Sequence, residues 1–75
     1  MNVFEKIRKM VSKQFGVSED MINENTRFIE DIEAKSLDLL EFIYDVEDAF
    51  DIVVEDDIIK SLKTVGDAAR YIESK

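Results

Sequence analysis

Residues 36 to 50, SLDLLEFIYDVEDAF, decide the fold, because they form a helix-length segment with two apolar faces. On a helical wheel with Leu39 at zero, one stripe lies within about 80° and contains Phe42, Ile43, Val46, Ala49 and Phe50. A second cluster lies about 100° to 160° away and contains Leu37, Leu40 and Tyr44. Because one small core cannot bury both faces, the segment predicts a central helix with a second apolar face turned away from the core.

The second cluster has two explanations. The central helix of a small bundle can be buried on most sides, and the cluster would then be structural. Alternatively, Glu41, Glu47 and Asp48 frame it with carboxylates, as on docking surfaces where apolar anchors supply affinity and charges attract an oppositely charged partner. The abundance of acid in the same segment favours docking.

Before this segment, residues 2–15 carry apolar side chains at three- and four-residue steps, which predicts an amphipathic helix. Gly16 follows as its C-terminal stop. Residues 17–35 lack a sustained period and predict a long loop with one turn at 18–21. Apolar residues recur in this loop and are expected to pin it to the core, namely Val17, Ile22, Phe28, Ile29 and Ile32.

After it, the acidic run at 55–57 opens a short helix that ends near Leu62. Acids are favoured in the first turn of a helix because the N-terminal end of the helix dipole is positive. Thr64 and Asp67 have the spacing of a capping box at the start of a last helix. The sequence therefore predicts an all-α fold, a small four-helix bundle with three longer helices, one short helix and a long first loop.

Composition limits the function. The 75 residues predict one domain over 1–75, and the absence of cysteine and histidine removes the usual thiolate and imidazole chemistry. The net charge is −8, and residues 30–57 hold twelve acids against one base, Lys35. Such a surface repels nucleic acid and favours a basic protein partner. A calcium loop at 45–56 lacks the mid-loop glycine, so no metal site is predicted. No apolar stretch reaches membrane-spanning length, and a cytoplasmic monomer is expected.

Ser36 begins the central helix, and its simplest role is an N-cap that accepts a hydrogen bond from the amide of Asp38 or Leu39. Serine catalysis is excluded because no histidine can act as its base, and Lys35, exposed among carboxylates, should stay protonated. No catalytic residue is therefore predicted. Modification is the third possibility, since a phosphate group at a helix N-terminus meets free amides and the positive end of the dipole.

The whole chain resembles the bacterial acyl carrier proteins. The resemblance rests on QFGV at 14–17, TRFIEDI at 26–32, the serine that opens the acidic helix, VEDD at 54–57 and TVGDAARYIE at 64–73. It implies that Ser36 carries 4′-phosphopantetheine, transferred from coenzyme A by a holo-carrier synthase, a phosphopantetheinyl transferase. Acyl groups would then travel as thioesters on this arm, so that the chain is a carrier and not an enzyme.

The resemblance also implies which residues meet partners and cargo. The partner-binding residues would be Leu37, Asp38, Leu40, Glu41, Tyr44, Glu47 and Asp48, facing basic-surfaced synthase and acyl-transfer enzymes. Lys35, where the chain departs from the family pattern, is also predicted to bind partners. The acyl pocket would contain Leu39, Phe42, Val46, Leu62 and Ala68. Fatty-acid biosynthesis is the leading pathway. Polyketide, peptide or alanyl transfer remains open, as does a role outside the carriers as a small acidic interaction or inhibitor protein.

Two residues depart from the family pattern, which usually has Gly-Ala-Asp before the serine where this chain has Glu33, Ala34 and Lys35. If the backbone at residue 33 has a positive φ, glutamate costs on the order of 1 kcal/mol there, and the alternative is a different turn. Lys35 reverses a charge beside the attachment site. It is either a neutral change at an exposed position or a residue that tunes partner choice.

Overall fold

Four α-helices form the framework of the computed structural model, which describes residues 2–75. They are α1 (Val3–Phe15), α2 (Ser36–Phe50), α3 (Asp56–Ser61) and α4 (Val65–Glu73), with one 3-10 turn at Glu19–Met21 in the long first connection. The described residues contain no strand, and their one β-bridge joins Arg27 to Thr64. The predicted helices, the long loop and the turn within it are confirmed. None of the helices in this part of the chain is long and apolar enough to cross a membrane.

Local signals define the ends of the helices. The Asn2 side chain accepts a hydrogen bond from the amide of Glu5 at 2.8 Å and caps α1. Gly16 adopts a φ of 69° and ends α1, as predicted, because a left-handed residue lacking a Cβ costs little. The predicted capping box at the start of α4 is also present, with Thr64 and Asp67 each accepting a hydrogen bond from the other's amide.

The core lies between α1, α2 and α4. Its buried residues in these helices are Ile7, Val11, Phe42, Ile43, Val46, Val65, Ala68, Ala69 and Ile72. The Phe42 ring lies at the centre, 5.8 Å from the ring of Phe15 and 5.7 Å from that of Phe28. Ala49, predicted in the apolar stripe, is instead exposed. It lies at the edge of the stripe, where a single methyl group is too short to reach the core.

The long loop is held by one buried ring and by the start of α4. Phe28 is fully buried, and its amide donates to the carbonyl of Lys63 at 3.0 Å. The amide of Val65 donates to the carbonyl of Thr26 at 2.9 Å, which joins the loop to α4. Ile22 is buried as predicted. Ile29 was wrongly expected to be buried and is 54% exposed, because the backbone turns between it and Phe28.

A close backbone approach at Gly66 completes this junction. The Gly66 amide donates to the carbonyl of Glu24 at 2.9 Å, and a Cβ at residue 66 would lie 2.6 Å from that same oxygen. Only glycine fits without moving one backbone against the other. The sequence signal was too weak to reveal this, because a glycine in the first turn of a helix has many possible reasons.

Candidate functional site

Ser36 occupies the first residue of α2, and the residue that caps the helix is Lys35, whose side chain makes no capping hydrogen bond. The N-cap role considered for Ser36 is therefore wrong. Its side chain is exposed, and within residues 2–75 its hydroxyl makes no hydrogen bond. A hydroxyl with no structural task at an exposed helix start is available for modification.

The start of α2 has the features that an anion requires. The first hydrogen bond of the helix runs from the amide of Leu39 to the carbonyl of Lys35 at 2.9 Å. The three amides before it, from Ser36 to Asp38, have no acceptor within the helix, and no side chain caps them. These amides and the positive end of the helix dipole favour a phosphate on the Ser36 oxygen.

The loop that leads to Ser36 contains a strained residue. Glu33 has a φ of 62°, in the left-handed region that favours glycine, so the backbone conformation considered from the sequence is present. Its neighbours are fixed, since the amide of Ile32 donates to the carbonyl of Arg27 at 3.0 Å and that of Ala34 to the carbonyl of Phe28 at 2.9 Å. Glu33 therefore cannot relax without breaking one of these bonds.

A cleft of about 810 Å³ opens beside Ser36, within the range of small-molecule sites. Its apolar wall consists of Ile29, Leu39, Leu40, Ile59 and Leu62, and its polar residues are Arg27, Glu30, Ser36, Lys60, Lys63, Thr64 and Asp67. Of the predicted pocket residues, Leu39 and Leu62 line the cleft. Phe42, Val46 and Ala68 do not line it and are buried in the core.

Three apolar residues of the cleft wall were missed from the sequence. Ile29 lies in a loop without periodicity and Leu40 was assigned to the outward face, so neither carried a usable signal. Ile59 stands three residues before Leu62, a spacing that places both on one side of a short helix. That spacing could have predicted it.

The acids of the cleft already have partners. Arg27 binds Glu30 and also Asp31, with 3.2 Å between its Nε and an Asp31 oxygen. The hydrogen bond from the Arg27 side chain holds the pKa of the Asp31 carboxyl below its usual range, and the same contact raises the pKa of Arg27. The single guanidinium of Arg27 thus pairs with both carboxylates and balances one of their two negative charges.

Asp67 on the other side of the cleft is similarly engaged. Its carboxylate accepts from Arg70 at 2.8 Å and from the amides of Lys63 and Thr64 at 3.2 Å each. Burial by itself would raise the pKa of Asp67, but these hydrogen bonds outweigh it and leave the pKa below its ordinary value.

The outward face of α2 is free for contact. Leu37 is 66% and Tyr44 57% exposed, so burial on most sides does not account for them. Glu41 and Asp48 are exposed beside them, whereas Asp38 is half-buried. Leu40, from the same predicted cluster, is half-buried and lines the cleft.

Glu47 differs from the other predicted partner residues because the fold uses its carboxylate. It accepts a hydrogen bond from the amide of Val54 at 2.7 Å and so holds the connection between α2 and α3. Sequence reasoning missed this contact, since it joins a helix residue to a residue of the following loop. No group of three or more acids that could hold a metal ion occurs in residues 2–75.

Comparisons with known proteins agree with this geometry. Residues 5–72 match the family model described as a phosphopantetheine attachment site. The acyl carrier protein of Lactobacillus acidophilus is 46% identical over 72 residues, covering 96% of this chain and 90% of that one. The chain belongs to the acyl carrier protein family. The acyl carrier protein of Thermotoga maritima is 37% identical over 73 residues, with 97% and 90% of the two chains covered.

A solved acyl carrier protein has the same fold. The structure of the Enterococcus faecalis protein superposes with a TM-score of 0.85 at 30% identity, covering 99% of this chain and 98% of that one. Membership of the family confirms the predicted all-α fold and the role of a carrier rather than a catalyst. It implies covalently attached 4′-phosphopantetheine and contact with the transferase and synthase enzymes that a carrier serves.

Proposed function

We propose that Ser36 is the attachment point of 4′-phosphopantetheine and that this carrier presents acyl thioesters to the enzymes of fatty-acid biosynthesis. The observation that carries the assignment is the Ser36 hydroxyl, which is exposed, makes no hydrogen bond in the described part of the chain and borders both a free helix N-terminus and an apolar cleft. In the transfer, the Ser36 oxygen bonds to the pantetheine phosphate of coenzyme A. The P–O bond of the pyrophosphate breaks, adenosine 3′,5′-bisphosphate departs with the bonding electron pair, and the serine proton passes to a base of the transferase or to water.

The test is mass spectrometry after incubation with coenzyme A and a phosphopantetheinyl transferase. Wild type should gain one prosthetic group, and Ser36→Ala should gain none. Ser18→Ala is the matched control, because Ser18 is also exposed and begins a helical turn without a side-chain cap; it should gain the group as wild type does. Modification of Ser36→Ala would refute the assignment of Ser36.

We assign the docking of partner enzymes to the outward face of α2. The exposed Leu37 and Tyr44 supply apolar anchors, and Glu41 and Asp48 attract a basic enzyme surface. Lys35, Asp38, Leu40 and Glu47 border this face. Glu41→Lys should slow modification by the transferase about 10-fold at low salt and less at high salt, because charge steering is screened. Glu73→Lys, which changes the same charge at the end of α4, should leave the rate unchanged.

Lys35 is proposed to tune which of these enzymes bind. It is exposed next to the attachment site and reverses the local charge. Rates of Ser36 modification and of acyl loading by a fatty-acid synthase set should therefore differ between wild type and Lys35→Asp. Equal rates at low and moderate salt would show that Lys35 is neutral.

The cleft beside Ser36 is proposed to receive the acyl chain. Leu39 and Leu62 form part of its apolar wall, whereas Phe42, Val46 and Ala68 are buried in the core and would contact an acyl chain only if the helices moved. Replacing Leu62 with Ser should lower the melting temperature of a carrier loaded with a medium-length acyl chain more than that of the holo carrier without an acyl group. Equal losses would contradict this role.

The acyl group that the carrier holds distinguishes the candidate pathways. Purification of the modified carrier, release of its thioester-bound groups and mass analysis should yield fatty acyl chains. Polyketide, peptidyl or alanyl groups would instead assign it to one of those pathways. A cytoplasmic monomer of one domain, residues 1–75, remains the prediction for its cellular form.

A further inference from the structure

Basic residues are scarce around the attachment site. From residue 30 to residue 64 the chain has twelve acids and three bases, which are Lys35, Lys60 and Lys63. With acids in such excess, lysines would be expected to form ion pairs. All three are exposed, yet none forms an ion pair within residues 2–75.

The fold brings two of these lysines, Lys60 and Lys63, into the cleft that Ser36 lines. Lys35 precedes Ser36 in the chain, and Lys60 and Lys63 line the same cleft as Ser36. Two backbone hydrogen bonds make this junction: Ala34 donates to the carbonyl of Phe28 at 2.9 Å, and Phe28 donates to the carbonyl of Lys63 at 3.0 Å. Lys63 is thereby placed beside the segment that carries Ser36, although 27 residues separate the two in sequence.

The acids of the cleft do not cancel this positive charge. Glu30 shares the guanidinium of Arg27 with Asp31, which leaves one negative charge in that group, and Asp67 binds Arg70 together with two backbone amides. Asp38, the acid nearest to Ser36 in the helix, does not line the cleft. The cleft that Ser36 lines therefore carries two ammonium groups that form no ion pair within residues 2–75, and Lys35 adjoins Ser36 in the chain, although the net charge is −8.

We propose that Lys60 and Lys63, assisted by Lys35, bind the phosphodiester that links the prosthetic arm to Ser36. The inference rests on the proposed attachment at Ser36. An ammonium group on a flexible stem suits a phosphate, and the free amides at the start of α2 are further donors beside the same serine. Binding of the phosphate lays the arm along the cleft instead of leaving it free in solvent, and so presents the acyl chain to the apolar wall.

The test compares the gain in melting temperature when the apo carrier is converted to the holo carrier at low salt. Wild type should gain about 2 to 6 °C, the range expected for a few surface charge pairs in a small domain. Lys60→Gln/Lys63→Gln should lose at least half of this gain, and Lys60→Arg/Lys63→Arg should keep it. The ³¹P resonance of the holo wild type should shift as NaCl is added, whereas that of the glutamine variant should not.

The matched control is Lys9→Gln/Lys13→Gln, which removes the same charge from α1, where neither residue lines the cleft. Its melting temperature should rise on conversion to the holo form as much as that of wild type. Equal gains in wild type and in Lys60→Gln/Lys63→Gln would overturn the inference, as would a holo form no more stable than the apo form. Loading the holo carrier with malonyl or acetyl groups gives a further comparison. A lysine-dependent gain found only with malonyl would assign the lysines to a cargo carboxylate and overturn phosphate binding.

Mass spectrometry separates this inference from the proposed function. A sample that gains no arm refutes attachment, and the inference falls with it. If the sample gains the arm but its gain in melting temperature does not depend on Lys60 and Lys63, only the phosphate contact is refuted.

Discussion

Replacing Glu33 with glycine should stabilise the carrier. Glu33 has a φ of 62°, and a left-handed conformation costs an L-residue about 1–2 kcal/mol. Glycine removes this strain but adds about 0.5–1 kcal/mol of backbone entropy to the unfolded chain. The net gain should be about 0.5–1 kcal/mol, or roughly 2 to 8 °C in melting temperature for a domain of this size.

The flanking hydrogen bonds explain why the strain is not relieved in the native chain. Ile32 and Ala34 are each tied by an amide to the carbonyl of Arg27 or Phe28, and Ala34 is buried. Rotating Glu33 to a negative φ would break one of these bonds, which costs about as much as the strain itself.

The assay is thermal and urea unfolding of a series at residue 33. Glu33→Gln removes the charge but keeps the Cβ, and it corrects for the loss of one acid from a crowded acidic segment. Asn tolerates the left-handed region better than other non-glycine residues, so stability should rise from Gln through Asn to Gly. A glycine variant no more stable than the glutamine variant would refute the strain argument.

Four other changes test the remaining contacts. Gly66→Ala should destabilise by about 1–3 kcal/mol, because its Cβ would lie 2.6 Å from the Glu24 carbonyl oxygen; urea unfolding measures this, and an unchanged midpoint would contradict it. Glu47→Ala should cost about 1.5–3 kcal/mol through loss of the charged acceptor of the Val54 amide, and Asp48→Ala, exposed on the same helix, should cost little in the same measurement. The folded-state pKa of Asp67 is lowered, so its carboxylate contributes fully to folding stability above the unfolded pKa near 4, and this contribution is lost as the pH falls through the folded pKa. The difference in melting temperature between wild type and Asp67→Asn should therefore shrink on acidification below pH 4. A constant difference would show that the charge of Asp67 does not stabilise the fold. Millimolar Mg²⁺ or Ca²⁺ should raise the melting temperature at neutral pH and low salt, because the acids of residues 30–57 repel one another; a flat titration would argue against that repulsion.

Features that depend on neighbours along the chain could be predicted from the residues alone. Apolar spacing marked the helices, Gly16 marked the end of α1, and the Thr64–Asp67 pair marked the start of α4, because caps and helical faces are read from residues three or four apart. The free outward face of α2 followed from its second apolar cluster. The role of Ser36 needed a resemblance as well, because position alone favoured an N-cap.

Tertiary structure decided everything that depends on contacts between distant segments. The long loop pairs with the start of α4, which requires glycine at residue 66 and places Lys63 near Ser36. Glu47 is turned to the amide of Val54, and Ile29 lies at the cleft instead of in the core. No periodicity encodes these contacts, because they arise from the way the helices pack and from the backbone groups that packing leaves to be paired.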